Sequence, residues 1–292
     1  MKKFRGDELK KKKIMKRASI KEPLVAQIKE HKVTFAVYVV LRLIVIAVLI
    51  LSLINRRFEN VFVCSLTLVL FLVPAFFQKN FGIQLPSTLE IIIMLFIFAA
   101  EILGEIGAYY VKVPLWDTML HTTNGFLCAA IGFSLVDLLN RNNRFKFHLS
   151  PLYLSIVAFC FSMTIGVLWE MFEFGADMLF ATDMQKDFVV TKISSVALDE
   201  TLSNKAVIVE NISEVYINGE PLGLGGYLDI GIIDTMKDLI VNFIGAVVFS
   251  VIGFFYVKSR GKSRFAKRFI PTVTVPEPDI EEDDTQTNVK SD

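Results

Sequence analysis

Six blocks of this chain, at about 33–54, 61–77, 89–109, 116–139, 152–179 and 230–257, are long and apolar enough to cross a bilayer. A span takes ~20 residues of helix, and backbone polar groups in hydrocarbon must be satisfied within the segment, which a helix does. The chain therefore reads as all-α: a polytopic transmembrane helical bundle of about six spans. Composition agrees, with 53% hydrophobic residues and a mean hydropathy of +0.51. Pro86, Pro114 and Pro151 stand just before spans three, four and five, at helix starts where a missing N–H costs least.

The long polar connection is 182–228. Residues 207–209 and 214–217 have strand-like composition, and Asn218-Gly219 after them is a strong turn signal. A small β-rich or irregular extracytoplasmic loop is expected between spans five and six. The transmembrane domain is 33–257. Residues 1–32 form a basic tail with twelve Lys/Arg, and 258–292 form a tail that is basic and then acidic. The stretch 9–32 suits either an interfacial helix on anionic lipid or a solvated tail. The apolar block after it is read as a retained anchor, since its charged flank is too long for a cleaved signal. Cys64, Cys128 and Cys160 all fall in apolar blocks without a CxxC pair, which leaves no disulfide framework and no zinc ribbon. No nucleic-acid partner is expected; the partner is the lipid bilayer.

Lysine and arginine set the orientation. With the N-terminus inside, the cytoplasmic side carries twenty-two, among them Lys79, Arg141, Arg144, Lys146 and the run 258–268. The outer side carries six: Arg56, Arg57, Lys112, Lys186, Lys192 and Lys205. This bias places both termini in the cytoplasm of a multi-pass cell-membrane protein.

Acids that took no part in that count then converge. Glu101 and Glu105 fall toward the outer end of span three, Asp117 and His121 at the outer start of span four. Trp169, Glu170, Glu173 and Asp177 fall at the outer end of span five, and Asp234, Asp238 and Asn242 at the outer start of span six. Each set repeats at three- or four-residue steps and so makes one stripe on its helix. Intramembrane acids cost ~2.5–3.5 kcal/mol each on insertion scales, so they face the bundle interior and need partners. Lys112, Lys237 and His121 are the nearby cations, with Arg42 in span one as a further counter-ion. Carboxylates outnumber them, and a divalent cation or shared protons would answer the excess.

The motif order Tyr109-Tyr110-x-x-x-Pro114-x-Trp116-Asp117-x-x-x-His121-x-x-x-Gly125, Gly166-x-x-Trp169-Glu170-x-x-Glu173-Phe174-x-x-Asp177 and Asp234-Thr235-x-x-Asp238-Leu239-x-x-Asn242-x-x-Gly245-Ala246 resembles the YjdF-type family of bacterial inner-membrane proteins, a largely uncharacterised group. It is similar, more weakly, to VanZ-like membrane proteins, whose Gln after the Glu is Glu173 here. The resemblance implies a bacterial multi-spanning protein and brings no settled activity.

His121, Glu170, Glu173, Asp234 and Asp238 are the candidate metal ligands. Asp117, His121, Glu170 and Asp238 are the candidate catalytic groups. Such a mixed nitrogen and oxygen set suits Mg²⁺, Mn²⁺ or Zn²⁺; no HExxH is present. The expected function is that of a cell-envelope membrane protein with an outward acidic/His pocket. Its alternatives are a metal-dependent enzyme acting on a lipid or lipid-linked substrate, with Asp117 orienting His121 or ligating directly, and a proton- or cation-coupled carrier. No inverted repeat favours the carrier.

Overall fold

The computed structural model describes residues 32–81, 83–141, 149–259 and 261–273. The expectations for the basic tail, for Arg144 and Lys146 and for the acidic stretch 276–292 lie outside the described residues.

Lys32–Ile54 is helix α1. Phe58–Leu70 (α2) continues through a turn into Val73–Phe81 (α3). The third block is two kinds of helix joined end to end: twelve residues of α-helix, Ser87–Phe98 (α4), and then eight of π-helix, Ala99–Ile106. A short helix, Tyr109–Lys112 (α5), leads into Trp116–Arg141 (α6). Pro151–Phe180 (α7) and Ile232–Lys258 (α8) complete the bundle. Among the described residues, five helices are long and apolar enough to cross a membrane: Lys32–Ile54, Phe58–Phe76, Trp116–Asp137, Pro151–Phe180 and Ile232–Lys258. The remaining expected span, about 89–109, falls on the α4–π pair, which is not among these five.

The helix starts follow local chemistry. Ser150 caps α7 by accepting the Tyr153 N–H at 3.2 Å, with Pro151 in the first turn. At α8 the Asp229 carboxylate accepts the Ile233 and Gly231 N–H groups at 2.9 and 3.4 Å, taking donors a helix start leaves free.

Helices α6, α7 and α8 form the tightest part of the bundle. Gly125 of α6 and Gly245 of α8 make this possible: a Cβ on Gly125 would meet the Asn242 carbonyl oxygen, and one on Gly245 the Thr122 carbonyl oxygen. Ser162 of α7 donates to the Gly125 carbonyl at 2.7 Å and ties in the third helix. Beneath these contacts Leu127, Ala129, Ala130, Phe133, Leu154, Ala158, Ala246 and Phe249 form a continuous buried apolar core. Burial of this kind stabilises by roughly 25 cal/mol per Å². Helices α1 and α2 pack with α4 around Leu41, Val45, Cys64, Phe71 and Met94 in a separate cluster.

The two ends of the bundle differ. At one end β1 (Ile83–Gln84) pairs antiparallel with β8 (Thr272–Val273), and Ala266 and Ile270 are buried against Leu89. The start of the region read as a tail is therefore packed as far as Val273. At the other end the polar connection forms β2 (Val189–Val190) with β7 (Tyr227–Leu228), and β3 (Ile193–Ser195) with β4 (Val207–Val209). The third pair is β5 (Tyr216–Ile217) with β6 (Glu220–Pro221). Asn218 and Gly219 close that hairpin with φ of 55° and 91°, as a type I′ turn requires. The small β-rich loop expected between the last two spans is present.

Candidate metal centre

Asp117 and His121 occupy the first two turns of α6, one helical turn apart, and Asp238 reaches them from the second turn of α8. The His121 Nε2 lies 3.5 Å from Asp117 Oδ1 and 3.7 Å from Asp238 Oδ2. One ligand atom from each of the three residues lies within 4.8 Å of the others. The opposite ring nitrogen, Nδ1, faces Glu170 Oε1 of α7 at 3.8 Å. His121, Glu170 and Asp238 are buried, whereas the Asp117 side chain is 31% exposed and marks the open side of the group.

Ligands about 2.1 Å from one ion lie roughly 3.0–3.5 Å apart. The two His121–aspartate distances are already near that range, so a small closure would complete the set. Glu170 adds a second observation: its Oε2 is buried without a hydrogen-bond partner. A buried carboxylate oxygen left unpaired is costly, and the side-chain donors nearest Glu170 are those of Thr235 and Gln185. Trp116, at the first residue of α6, likewise buries its indole N–H without an acceptor.

Glu173 and Asp234, expected among the ligands, are buried beside this group but engaged elsewhere. Glu173 accepts the Trp169 indole N–H at 2.8 Å. Asp234 accepts the Lys186 backbone N–H at 2.8 Å, and its neighbour Thr235 meets the Gln185 side chain at 2.5 Å. The segment after α7 is strapped in this way over the start of α8. Asp177 serves the same strap, accepting Met184 N–H, Gln185 N–H and the Thr182 hydroxyl.

Three of the four acidic helix ends therefore meet at His121, and the fourth approaches them through Tyr110, whose ring packs on Gly104 of the π-helix and whose hydroxyl lies within electrostatic reach of Glu101, Glu105, Asp117 and Glu173. Glu101 and Glu105 lie on the π-helix, Glu105 is exposed, and among the described residues neither makes an ion pair or hydrogen bond to the His121 group. Of the expected cations, His121 sits within the group, Lys237 stays within electrostatic reach of Asp234, and the closest contacts of the lysines and Arg42 are to other groups. Lys112 donates to the Gly107 carbonyl at 3.1 Å, and the Lys237 ammonium sits 3.4 Å from the Phe188 ring centroid. Arg42 stacks over Tyr38 at 4.1 Å rather than meeting an acid. Among the described residues, no lysine or arginine forms an ion pair with Asp117, Glu170, Glu173, Asp234 or Asp238.

Below the group, the Asn124 amide of α6 donates to Asn242 Oδ1 at 3.3 Å, and Cys128 donates to Asn124 Oδ1 at 3.4 Å. Asn242, only 1% exposed, also contacts the Met163 sulfur at 3.6 Å. Gly166 makes room for it, since a Cβ there would lie 2.6 Å from Asn242 Nδ2. Asn124 went unremarked in the sequence reading; its position three residues after His121, on the same helix face, is the signal that would have found it.

The profile of a family described as "Predicted membrane protein (DUF2238)" matches residues 37–259, a range that takes in every residue of this group. An uncharacterised protein of Thermotoga maritima is 26% identical over 106 residues, which are 36% of this chain and 53% of that protein. The chain thus spans about half the length of that relative. No solved structure matches.

Proposed function

The chain belongs to the DUF2238 family of predicted membrane proteins, and from that premise we propose that its three-helix core holds one divalent cation and uses it on a lipid or lipid-linked substrate of the cell envelope. Asp117, His121 through Nε2, and Asp238 are the ligands. The observation that carries the reading is their approach to within 4.8 Å with no lysine or arginine paired to them among the described residues. Two aspartates and a neutral imidazole balance the charge of a divalent ion and supply oxygen and nitrogen donors that suit Mg²⁺, Mn²⁺ or Zn²⁺.

Glu170 takes the role first considered for Asp117. Its Oε1 stands 3.8 Å from His121 Nδ1, placed so that on a small closure it would accept from Nδ1–H and hold the ring with Nε2 toward the ion, as carboxylates do behind ligating histidines. The exposed flank of Asp117 is where water and substrate enter. A divalent ion held there by Asp117, His121 and Asp238 would supply Lewis acidity toward a phosphoryl or carbonyl oxygen and make a hydrolytic water more acidic. The YjdF-type and, more distantly, VanZ-like motif orders support treating the Asp/His, Glu and Asp-x-x-x-Asn segments as one functional set. The Lys/Arg bias supports placing this end outside a cell membrane, with both termini in the cytoplasm.

A transmembrane carrier fits less well. Below Asn124, Asn242 and Cys128 the buried polar side chains among the described residues are separate serines, of which Ser134 and Ser155 donate to their own helices, set among Leu127, Phe133, Ala246 and Phe249.

The test is elemental analysis of protein purified in mild detergent without chelators. Near-stoichiometric metal in wild type, lost in both His121→Ala and Asp238→Asn, is the expected result. Metal-free but well-folded wild type would overturn the proposal.

A further inference from the structure

At the end of the bundle away from the acids, α7 and α8 part to leave a groove of about 560 Å³, and its walls include Leu152, Ile156, Phe159, Phe243, Val247 and Phe254. Leu152, Ile156 and Phe243 are each about half exposed, so the groove opens sideways to the surrounding lipid. Val247, nine residues after Asp238, projects from the opposite side of α8. The groove is therefore distinct from the metal centre.

We propose that this groove holds one acyl chain of an anionic phospholipid, whose phosphate is bound by the basic segment that follows α8. Charge argues for that occupant. The groove runs out to Phe254 and Phe255, one turn from the end of α8, and the Lys258 ammonium lies 5.6 Å from the Phe254 ring centroid. The chain then folds back, burying Ala266 and Ile270 while Lys262, Arg264, Lys267 and Arg268 stay exposed. None of these five cations makes an ion pair with another described residue. Phe265, 59% exposed, sits among them. Lys258 at the mouth of the groove, with the exposed cations of the segment that follows it at the same end of the bundle, offers charge to a phosphate while the apolar walls take hydrocarbon. Ser250 is the second observation. It is 8% exposed, lines the groove, and its hydroxyl is buried without a partner. The ester carbonyls of a phospholipid are acceptors that an apolar helix partner would not bring.

The full chain in mild detergent is titrated with dioleoyl phosphatidylglycerol and, separately, with dioleoyl phosphatidylcholine, reading bound lipid by native mass spectrometry. Phosphatidylglycerol binds more tightly. The double variant Lys258→Gln, Arg264→Gln, which touches only surface charge, loses that preference by roughly fivefold per charge removed. Val247→Trp, and Leu152→Trp from the more exposed wall, fill the groove and weaken both lipids by about tenfold or more, the worth of two buried methylenes. Equal affinity for the two lipids, or a preference that survives the double variant, overturns the proposal. So does a Val247→Trp or Leu152→Trp protein that changes oligomeric mass instead of lipid affinity, which would assign the groove to a second copy of the chain. Metal content reads the acidic site independently, so failure of either proposal leaves the other standing.

Discussion

Asp199 and Asp238 are both aspartates with little exposed surface, 8% and 3%, and the fold treats them in opposite ways. Asp199, in the polar connection, accepts the Thr201, Ser203 and Lys205 N–H groups and both the Thr201 and Ser203 hydroxyls. Asp229, at the start of α8, accepts N–H groups from Phe188, Gly231 and Ile233. Asp238 faces an imidazole and other carboxylates. A carboxylate surrounded by donors has its charge answered by the chain and does structural work. A buried carboxylate surrounded by acceptors needs a cation or a proton from outside. The donor count, rather than burial, separates the two classes here, and it assigns Asp238 to the second.

The largest effect that could break this division is at Asp238. Asp238→Asn keeps the shape and removes the charge, so bound metal falls from near-stoichiometric to none while the elution profile stays that of wild type. Metal retained in that variant would return Asp238 to the structural class. Glu170→Gln sharpens the comparison within the site. Its partner is His121 Nδ1 rather than the ion, so metal affinity falls by about 10–100-fold and is not abolished, measured by competition against a chelator of known affinity. Complete loss would make Glu170 a ligand.

On the structural side, Asp229→Ala removes the acceptor for donors at the start of α8. Losses of helix-start acceptors cost about 1 kcal/mol, read as a lowered unfolding midpoint with metal content per folded molecule unchanged. A loss of metal that exceeded the loss of fold would show that the cap also positions Asp234 and Asp238.

How much of this was legible beforehand depends on the range of the signal. Composition and periodicity are local, and they located the apolar blocks, the acidic stripes and, by its strand-like composition, the strand at Val207–Val209. Turn chemistry is local too, and Asn218-Gly219 closed the hairpin as expected. The convergence of Asp117, His121, Glu170 and Asp238 could be foreseen because alternating helix direction carries end-positions across the whole bundle. What failed to show was pairing between distant segments. Nothing local in Ala99–Ile106 marks it as π-helix, and an orderly Glu101/Glu105 spacing does not say which way the face turns. Arg42 met Tyr38 and Lys237 met Phe188, since a nearby ring competes with a distant acid as a cation's partner. The β1–β8 pairing and the burial of Ile270 likewise join segments that no sequence period connects.

The smallest effect concerns Asp199, where pH separates the classes without touching the membrane. Hydrogen bonds from the Thr201 and Ser203 side chains, with backbone N–H groups added, hold its carboxyl well below the usual aspartate range. A pKa lowered by folding contributes stability that is present above the unfolded value, about 3.9, and fades as pH falls below it toward the folded value. The loop should therefore keep its protection at neutral and mildly acid pH and lose it only in stronger acid. Hydrogen exchange of the peptide covering 199–205, corrected for intrinsic rates, reads this directly. Wild type should show protection falling below about pH 4, and Asp199→Asn, which has no charge to neutralise, should show weaker protection with no such step. A wild-type loop whose protection is flat across that range would mean the donors around Asp199 recognise its shape rather than its charge, and donor count would then lose its force as the mark of a structural carboxylate.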